Sequence, residues 1–129
     1  MDTIKKKINS SQTVSFYIDS ANQYFPRDLD LSKYDKSIIF CDIKLKKVYF
    51  NFIKKLKYKN LKTKPIFISS NEETKSILKL PFFLNELEKR NCSRSDIIIA
   101  IGGGTITDIV SFSSSIYMRG IDLFLVPTT

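Results

Sequence analysis

Gly102, Gly103 and Gly104 follow the apolar run IIIAI, Ile97 to Ile101, and precede a stretch of small residues, TITDIVSFSSSIYM. A strand, a glycine turn and a helix in that order can hold an anion. With no Cβ atoms in the way, a phosphate can approach the main chain closely, and the first-turn amides of the helix meet it at the positive end of the dipole. The pattern predicts a phosphate or pyrophosphate on Gly102–Gly104. Its plainer alternative is a tight strand-to-helix turn with no ligand. A nucleoside-triphosphate loop would need Gly-Lys-Ser/Thr, which is absent, and the G-x-G-x-x-G fingerprint fails because Thr107 stands at its third glycine. Asp108, about one turn into the helix, suits the dipole or can accept hydrogen bonds from ribose hydroxyls. Arg119-Gly120 reads equally as a helix stop and as an anion-binding arginine. The chain has no histidine, which removes the commonest metal ligand and the commonest general base. No catalytic residue and no metal ligand is assigned within it.

The elements that must position these residues alternate in kind. Strands are predicted at TVSFYI (Thr13 to Ile18), SIIFCD (Ser37 to Asp42), PIFIS (Pro65 to Ser69), IIIAI and DLFLV (Asp122 to Val126). From Leu45 the apolar residues Val48, Tyr49, Phe52, Ile53 and Leu56 recur at helical spacing and form one stripe. A second helical segment runs from about Glu72 to Arg90, where Pro81 forces a kink or a restart. A third helix runs from about Thr105 to Met118, and Ser111, Ser113, Ser114 and Ser115 would let it lie close to the sheet. Strands alternating with helices imply one α/β domain over residues 1–129, a mostly parallel, Rossmann-like sheet with helices on both faces.

Composition narrows the class. The chain is 129 residues long, 43% hydrophobic and 26% charged, which fits one globular domain. Its net charge of +8 sits in the first half, where residues 1–64 carry 15 Lys/Arg against 6 Asp/Glu. Nine lysines lie between Lys44 and Lys64 with no acid among them. Lysines of this kind line solvated helix faces more often than they grip nucleic acid, which favours arginine forks, and no nucleic-acid partner is expected. Cys41 and Cys92 have no framework spacing and fit a reducing, cytoplasmic setting. No apolar run approaches the roughly 18 residues of a membrane span, and no signal peptide is legible.

Taken together, IGGGTITDIVSFSSSIYMRGIDLFLVPTT resembles the NAD-binding segment of 3-dehydroquinate synthase and related sugar-phosphate cyclases. The shared features are the triple glycine, the following Asp, Arg-Gly at the helix end and Pro-Thr-Thr after the next strand. Upstream, Glu72-Glu73-Thr74-Lys75 is similar to the family's Glu-x-x-Lys, and Asp42 lies where a strand end meets the adenosine part of the cofactor. The resemblance implies that Asp42, Glu72 and Lys75 contact the adenosine half of NAD. It implies Gly102, Gly103, Gly104 and Thr105 at the pyrophosphate, Asp108 on the nicotinamide side, and Thr128 and Thr129 also at the cofactor. Arg119 would help hold an anionic sugar phosphate, from the same chain or a neighbouring subunit. Thr107, Ser111 and Asn71 stand where the family commonly has glycine, and Lys44 is unusual at its strand end.

The resemblance further implies conversion of 3-deoxy-arabino-heptulosonate 7-phosphate to 3-dehydroquinate and phosphate, in the shikimate route to aromatic amino acids. The family's divalent metal, zinc or cobalt, would lie in a helical C-terminal domain that is absent from this chain. The chain is thus expected to be the nucleotide-binding part of a homodimeric cyclase and inactive alone. Related alternatives are a 2-epi-5-epi-valiolone synthase-like cyclase and a glycerol-dehydrogenase-like NAD enzyme. A non-catalytic nucleotide-binding remnant is the alternative of another class.

Overall fold

The computed structural model describes residues 3–9, 12–17, 31–55, 64–71 and 77–128. It contains strands β1 (Thr3–Asn9), β2 (Gln12–Tyr17), β3 (Ser37–Asp42), β4 (Ile66–Ile68), β5 (Ile97–Gly102) and β6 (Asp122–Pro127). The helices are α1 (Lys46–Lys55), α2 (Leu80–Lys89) and α3 (Gly104–Ile116). Six strands form one sheet in the order β1-β2-β6-β5-β3-β4. All neighbours are parallel except β1 and β2, which pair antiparallel at the edge. The expected mostly parallel α/β architecture is therefore observed. The added edge strand is new, because TIKKKIN reads as a basic run and carries no apolar alternation across its lysines.

Alternate residues of the central strands serve two cores. Ile38, Phe40, Ile98, Ala100, Leu123 and Leu125 face α2 and α3, which contribute Phe83, Leu87, Ile106, Ile109 and Val110. Ile39, Cys41, Ile97, Ile99, Ile101, Phe124 and Val126 face the other way, onto Val48, Tyr49 and Phe52 of α1. That both faces are covered explains why SIIFCD and IIIAI are apolar throughout, with every residue of β3 and β5 buried. The predicted stripe on α1 is the buried one, and Lys44, Lys46, Lys47 and Lys54 are exposed around it. Lys46 Nζ lies 5.1 Å from the centre of the Phe67 ring, so one lysine of the run caps the hydrophobic edge. Leu56 lies outside the described residues.

Pro81 restarts a helix rather than kinking one. A 3-10 turn at Ile77–Lys79 leads into α2, with Pro81 in its first turn, where a missing amide costs nothing. The helix ends on a left-handed Asn91 (φ 53°), with Asn91 N donating to Glu88 O at 2.9 Å and Cys92 N to Leu87 O at 3.0 Å. These two bonds form a Schellman stop in which Asn takes the place of glycine.

Candidate functional site

Connectivity reverses between β3 and β5. The chain leaves β3 for its outer neighbour β4, whereas it leaves β5 in the other direction, for β6. The crossover helices lie on opposite faces, α1 on one and α3 on the other. A crevice therefore opens beyond the carboxyl ends of β3 and β5, the place where open α/β sheets bind ligands. Asp42 ends β3 and Gly102 ends β5. They occupy the rung just past the paired Cys41 and Ile101, on strands about 4.8 Å apart.

The three glycines differ in what they do. A Cβ on Gly102 would stand 2.9 Å from Ile106 Cβ, so this position needs glycine for α3 to sit on the sheet. Among the described residues, a Cβ on Gly103 would meet only Thr128 O, at an ordinary 3.6 Å. Its φ of −78° and ψ of −172° are open to any residue. The turn itself therefore does not demand glycine at 103, and the space beside it is a cradle that a side chain would fill. Gly103 is also the N-cap of α3 and offers no side chain to the helix end. Among the described residues no acceptor lies on the amides of Gly104 and Thr105, as the first turn of a helix dictates. Gly103 O accepts from Ile106 N at 3.1 Å and from Thr107 N at 3.0 Å.

Thr128 closes this end of the crevice. Its amide donates to Gly102 O at 2.9 Å, anchoring the residue after β6 beside the glycine turn. Its Oγ1 is buried with no hydrogen-bond partner among the described residues. Two first-turn amides and an orphaned hydroxyl on the residue anchored to the glycine turn are donors suited to phosphate or ribose oxygens, so the residues present fit the pyrophosphate region of a dinucleotide.

Asp42 is 8% exposed and held on both oxygens. Oδ1 accepts from Lys44 N at 3.0 Å, capping the 3-10 turn Ile43–Leu45 that leads into α1. Oδ2 accepts from Ser70 Oγ at 2.5 Å. Ser70 was not among the expected site residues, since only the pairing of β4 with β3 brings it to Asp42. A carboxylate has about four lone-pair sites, so acceptor capacity remains for ribose hydroxyls.

Other expected positions fall as follows. Thr105 is half-buried in the first turn of α3, and Asp108 lies on the exposed side of its second turn. Glu72, Lys75 and Thr129 lie outside the described residues. Arg119 lies past the far end of α3, about 20 Å from the cradle at 1.5 Å per helical residue, so the two do not meet within one chain. It does not cap the helix in the simple way expected, because Met118 (φ 47°) and Arg119 (φ 66°) are left-handed before Gly120 (φ 111°). The serines of α3 are likewise mixed. Ser113 and Ser114 are buried toward the sheet as expected, but Ser115 is exposed and Ser111 half-buried, their hydroxyls folded back onto helix carbonyls. Among the described residues no group of three or more His, Cys, Asp or Glu could hold a metal ion, and no helix is long and apolar enough to cross a membrane.

Both thiols are buried, and Cys41 directly precedes Asp42. Burial first, and then the charge of Asp42, push the Cys41 thiol up to about 12. Burial and Asp96 do the same to Cys92, to about 12, against a smaller opposing effect of Lys36.

The chain is 32% identical over 107 residues to a 3-dehydroquinate synthase of Blochmanniella pennsylvanica, covering 82% of this chain and 28% of that protein. It is 36% identical over 94 residues to a 3-dehydroquinate synthase of Helicobacter pylori, covering 73% of this chain and 27% of the relative. The chain thus spans less than a third of the length of these relatives. In fold it is similar to a 2-deoxy-scyllo-inosose synthase, with a TM-score of 0.73 at 17% identity over 99% of this chain and 36% of that one. It is also similar to a 2-epi-5-epi-valiolone synthase of Streptomyces hygroscopicus solved with NAD+ and Zn2+ bound, with a TM-score of 0.67 at 19% identity over 95% of this chain and 33% of the other. The model of the 3-dehydroquinate synthase N-terminal family matches residues 65–129, and with the relatives above this establishes that the chain belongs to that family of enzymes.

Proposed function

We propose that the chain is the NAD-binding part of a sugar-phosphate cyclase, and that the whole protein is a 3-dehydroquinate synthase. On this reading it converts 3-deoxy-arabino-heptulosonate 7-phosphate to 3-dehydroquinate and phosphate in the cytoplasm, as a homodimer. The observation that carries the cofactor assignment is the space beside Gly103, where among the described residues a Cβ would meet only Thr128 O at 3.6 Å and no backbone conformation requires glycine. NAD bound there would supply a reversible hydride acceptor for a sugar hydroxyl.

The residues of this chain bind and orient. Gly104 and Thr105 donate main-chain hydrogen bonds to the pyrophosphate, with the dipole of α3 behind them. Thr128 adds its buried hydroxyl. Asp42 accepts from the adenosine ribose, and Glu72 and Lys75 complete the adenosine side. Asp108 lies toward the nicotinamide. Arg119, remote from its own cradle, would serve the sugar phosphate bound to a neighbouring subunit. The divalent metal and its ligands would belong to parts of the protein outside this chain, and this chain alone would not turn over substrate. The structural neighbours solved with NAD+ and with Co2+ or Zn2+ support NAD as the cofactor and a divalent metal in the whole protein.

Titrating NADH fluorescence against the chain and its Gly103→Val variant tests the cradle. The variant should stay folded by circular dichroism and lose at least about tenfold in affinity, since the side chain occupies the phosphate position. Equal affinities would sink the assignment. The wider reading is tested in the whole protein, by release of phosphate from the heptulosonate 7-phosphate. A 2-epi-5-epi-valiolone synthase would instead turn over sedoheptulose 7-phosphate.

A further inference from the structure

A run of glycines solves one problem and creates another. It clears space for a phosphate, but it leaves the backbone free to swivel, which blurs the direction of any amide that is meant to bind one. The structure answers this at Thr107, four residues after the N-cap. Its Oγ1 donates to Gly103 O at 3.1 Å and lies 3.4 Å from Gly104 O. Gly103 O therefore receives three donors, the third being this hydroxyl beside the amides of Ile106 and Thr107. Gly103 C=O and Gly104 N–H belong to one planar peptide unit and point in opposite directions. Clamping the oxygen toward the helix holds the N–H outward, into the crevice. Thr107 is itself fixed, being 9% exposed, with its carbonyl accepting from Ser111 Oγ at 2.5 Å.

We infer that Thr107 is a positioning residue: its hydroxyl locks the Gly103–Gly104 peptide so that Gly104 N–H is presented to the pyrophosphate of the bound dinucleotide. This rests on the NAD-binding reading above. A threonine hydroxyl bonded back to its own helix is common and often only bends the helix slightly. What distinguishes this one is its target, the carbonyl of the peptide whose other side carries the donor. Thr107 touches neither substrate nor cofactor and acts through the glycine peptide alone.

The test compares the wild-type chain with Thr107→Val, which keeps the shape and loses the hydroxyl, and Thr107→Ser, which keeps the hydroxyl. Affinity is read by NADH fluorescence and, for the anion alone, by calorimetry with inorganic pyrophosphate, with thermal melting followed in parallel. Thr107→Val should weaken both ligands by about threefold to tenfold, the worth of one aligned hydrogen bond, and Thr107→Ser should stay within about twofold of wild type. As a second measurement, free of variants, pyrophosphate should shift the Gly104 amide resonance of the wild-type chain more than that of Gly120 at the far end of α3. Wild-type binding of NADH with undiminished binding by a folded Thr107→Val would overturn the role of Thr107 and leave the cofactor reading standing. No binding of NADH by the wild-type chain would overturn the cofactor reading, and this inference with it. A Thr107→Val chain too unstable to assay leaves the decision to Thr107→Ser and the Gly104 resonance, where loss of affinity in the first or an unmoved signal in the second counts against the clamp.

Discussion

Ser70 Oγ donates to Asp42 Oδ2 at 2.5 Å, tying the loop after β4 to the tip of β3. With Lys44 N on the other oxygen at 3.0 Å, the carboxylate has one orientation beside the crevice. A carboxylate there suits a ribose diol and repels a phosphate on the same ribose. Asp42→Ser should therefore weaken NAD and narrow the gap between NAD and NADP, with Lys44 exposed nearby to meet the extra phosphate. Parallel titrations of the two dinucleotides measure it, and an unchanged ratio would remove Asp42 from the ribose.

Gly102 and Gly103 should respond to alanine in opposite ways. At Gly102 the new methyl group stands 2.9 Å from Ile106 Cβ, and Ile106 is fully buried. Relief requires α3 to move off the sheet, a cost of about 1–3 kcal/mol for overpacking. Gly102→Ala should lower the melting temperature clearly, whereas Gly103→Ala should leave it nearly unchanged and reduce NAD binding. A thermal melt of both variants decides the matter, and reversed effects would mean that the two glycines have been assigned the wrong roles.

Cys41 and Cys92 make stability depend on pH in the alkaline range. Each thiol is raised from 9.0 to about 12 in the folded chain, chiefly by burial. Between those values the unfolded chain has lost protons that the folded chain keeps, so stability present below about pH 9 falls as pH rises toward 12. A Cys41→Ala, Cys92→Ala double variant should flatten this slope in urea titrations. At pH 8 both native thiols should react with iodoacetamide far more slowly than in urea, because little thiolate forms and access is poor.

Much of this architecture was legible because its signals are local. The period of Leu45, Val48, Tyr49, Phe52 and Ile53 is a property of one helix, and IIIAIGGG announces both a buried strand and the turn after it. Asp42 and the glycines were readable as separate features, but their shared rung was not, since it depends on β3 and β5 pairing across 60 residues of chain. Ser70 stayed hidden for the same reason: a serine after a strand is ordinary until β4 is known to lie beside β3. The edge strand β1 was missed because its lysines show no apolar alternation, and it is defined only by its pairing with β2. Arg119 could be read as a helix stop or as an anion site from sequence alone. Its distance from the cradle follows only from α3 being intact over its full length.

At the opposite end of the sheet from the crevice, Asp96 is fully buried and pairs with Lys36 Nζ at 2.9 Å. It also accepts from Lys36 N at 3.2 Å and Ser93 N at 2.8 Å, joining the start of β3 to the turn before β5. Lys36 Nζ in turn donates to Asn91 O at 2.9 Å, so the cation reaches the Schellman stop of α2. Replacing Asp96 leaves the amides of Lys36 and Ser93 and the half-buried ammonium without this acceptor, at about 1–3 kcal/mol for each buried donor stranded. Lys36→Met is milder, because the carboxylate keeps its amide donors and Met fills the lysine's apolar stem. Urea denaturation should thus rank Asp96→Ala well below Lys36→Met and both below wild type. NAD affinity should hold in whatever fraction remains folded, because the pair lies at the far end of the strands from Gly103. An Asp96→Ala chain as stable as wild type would show that the pair contributes nothing to holding β3 against β5.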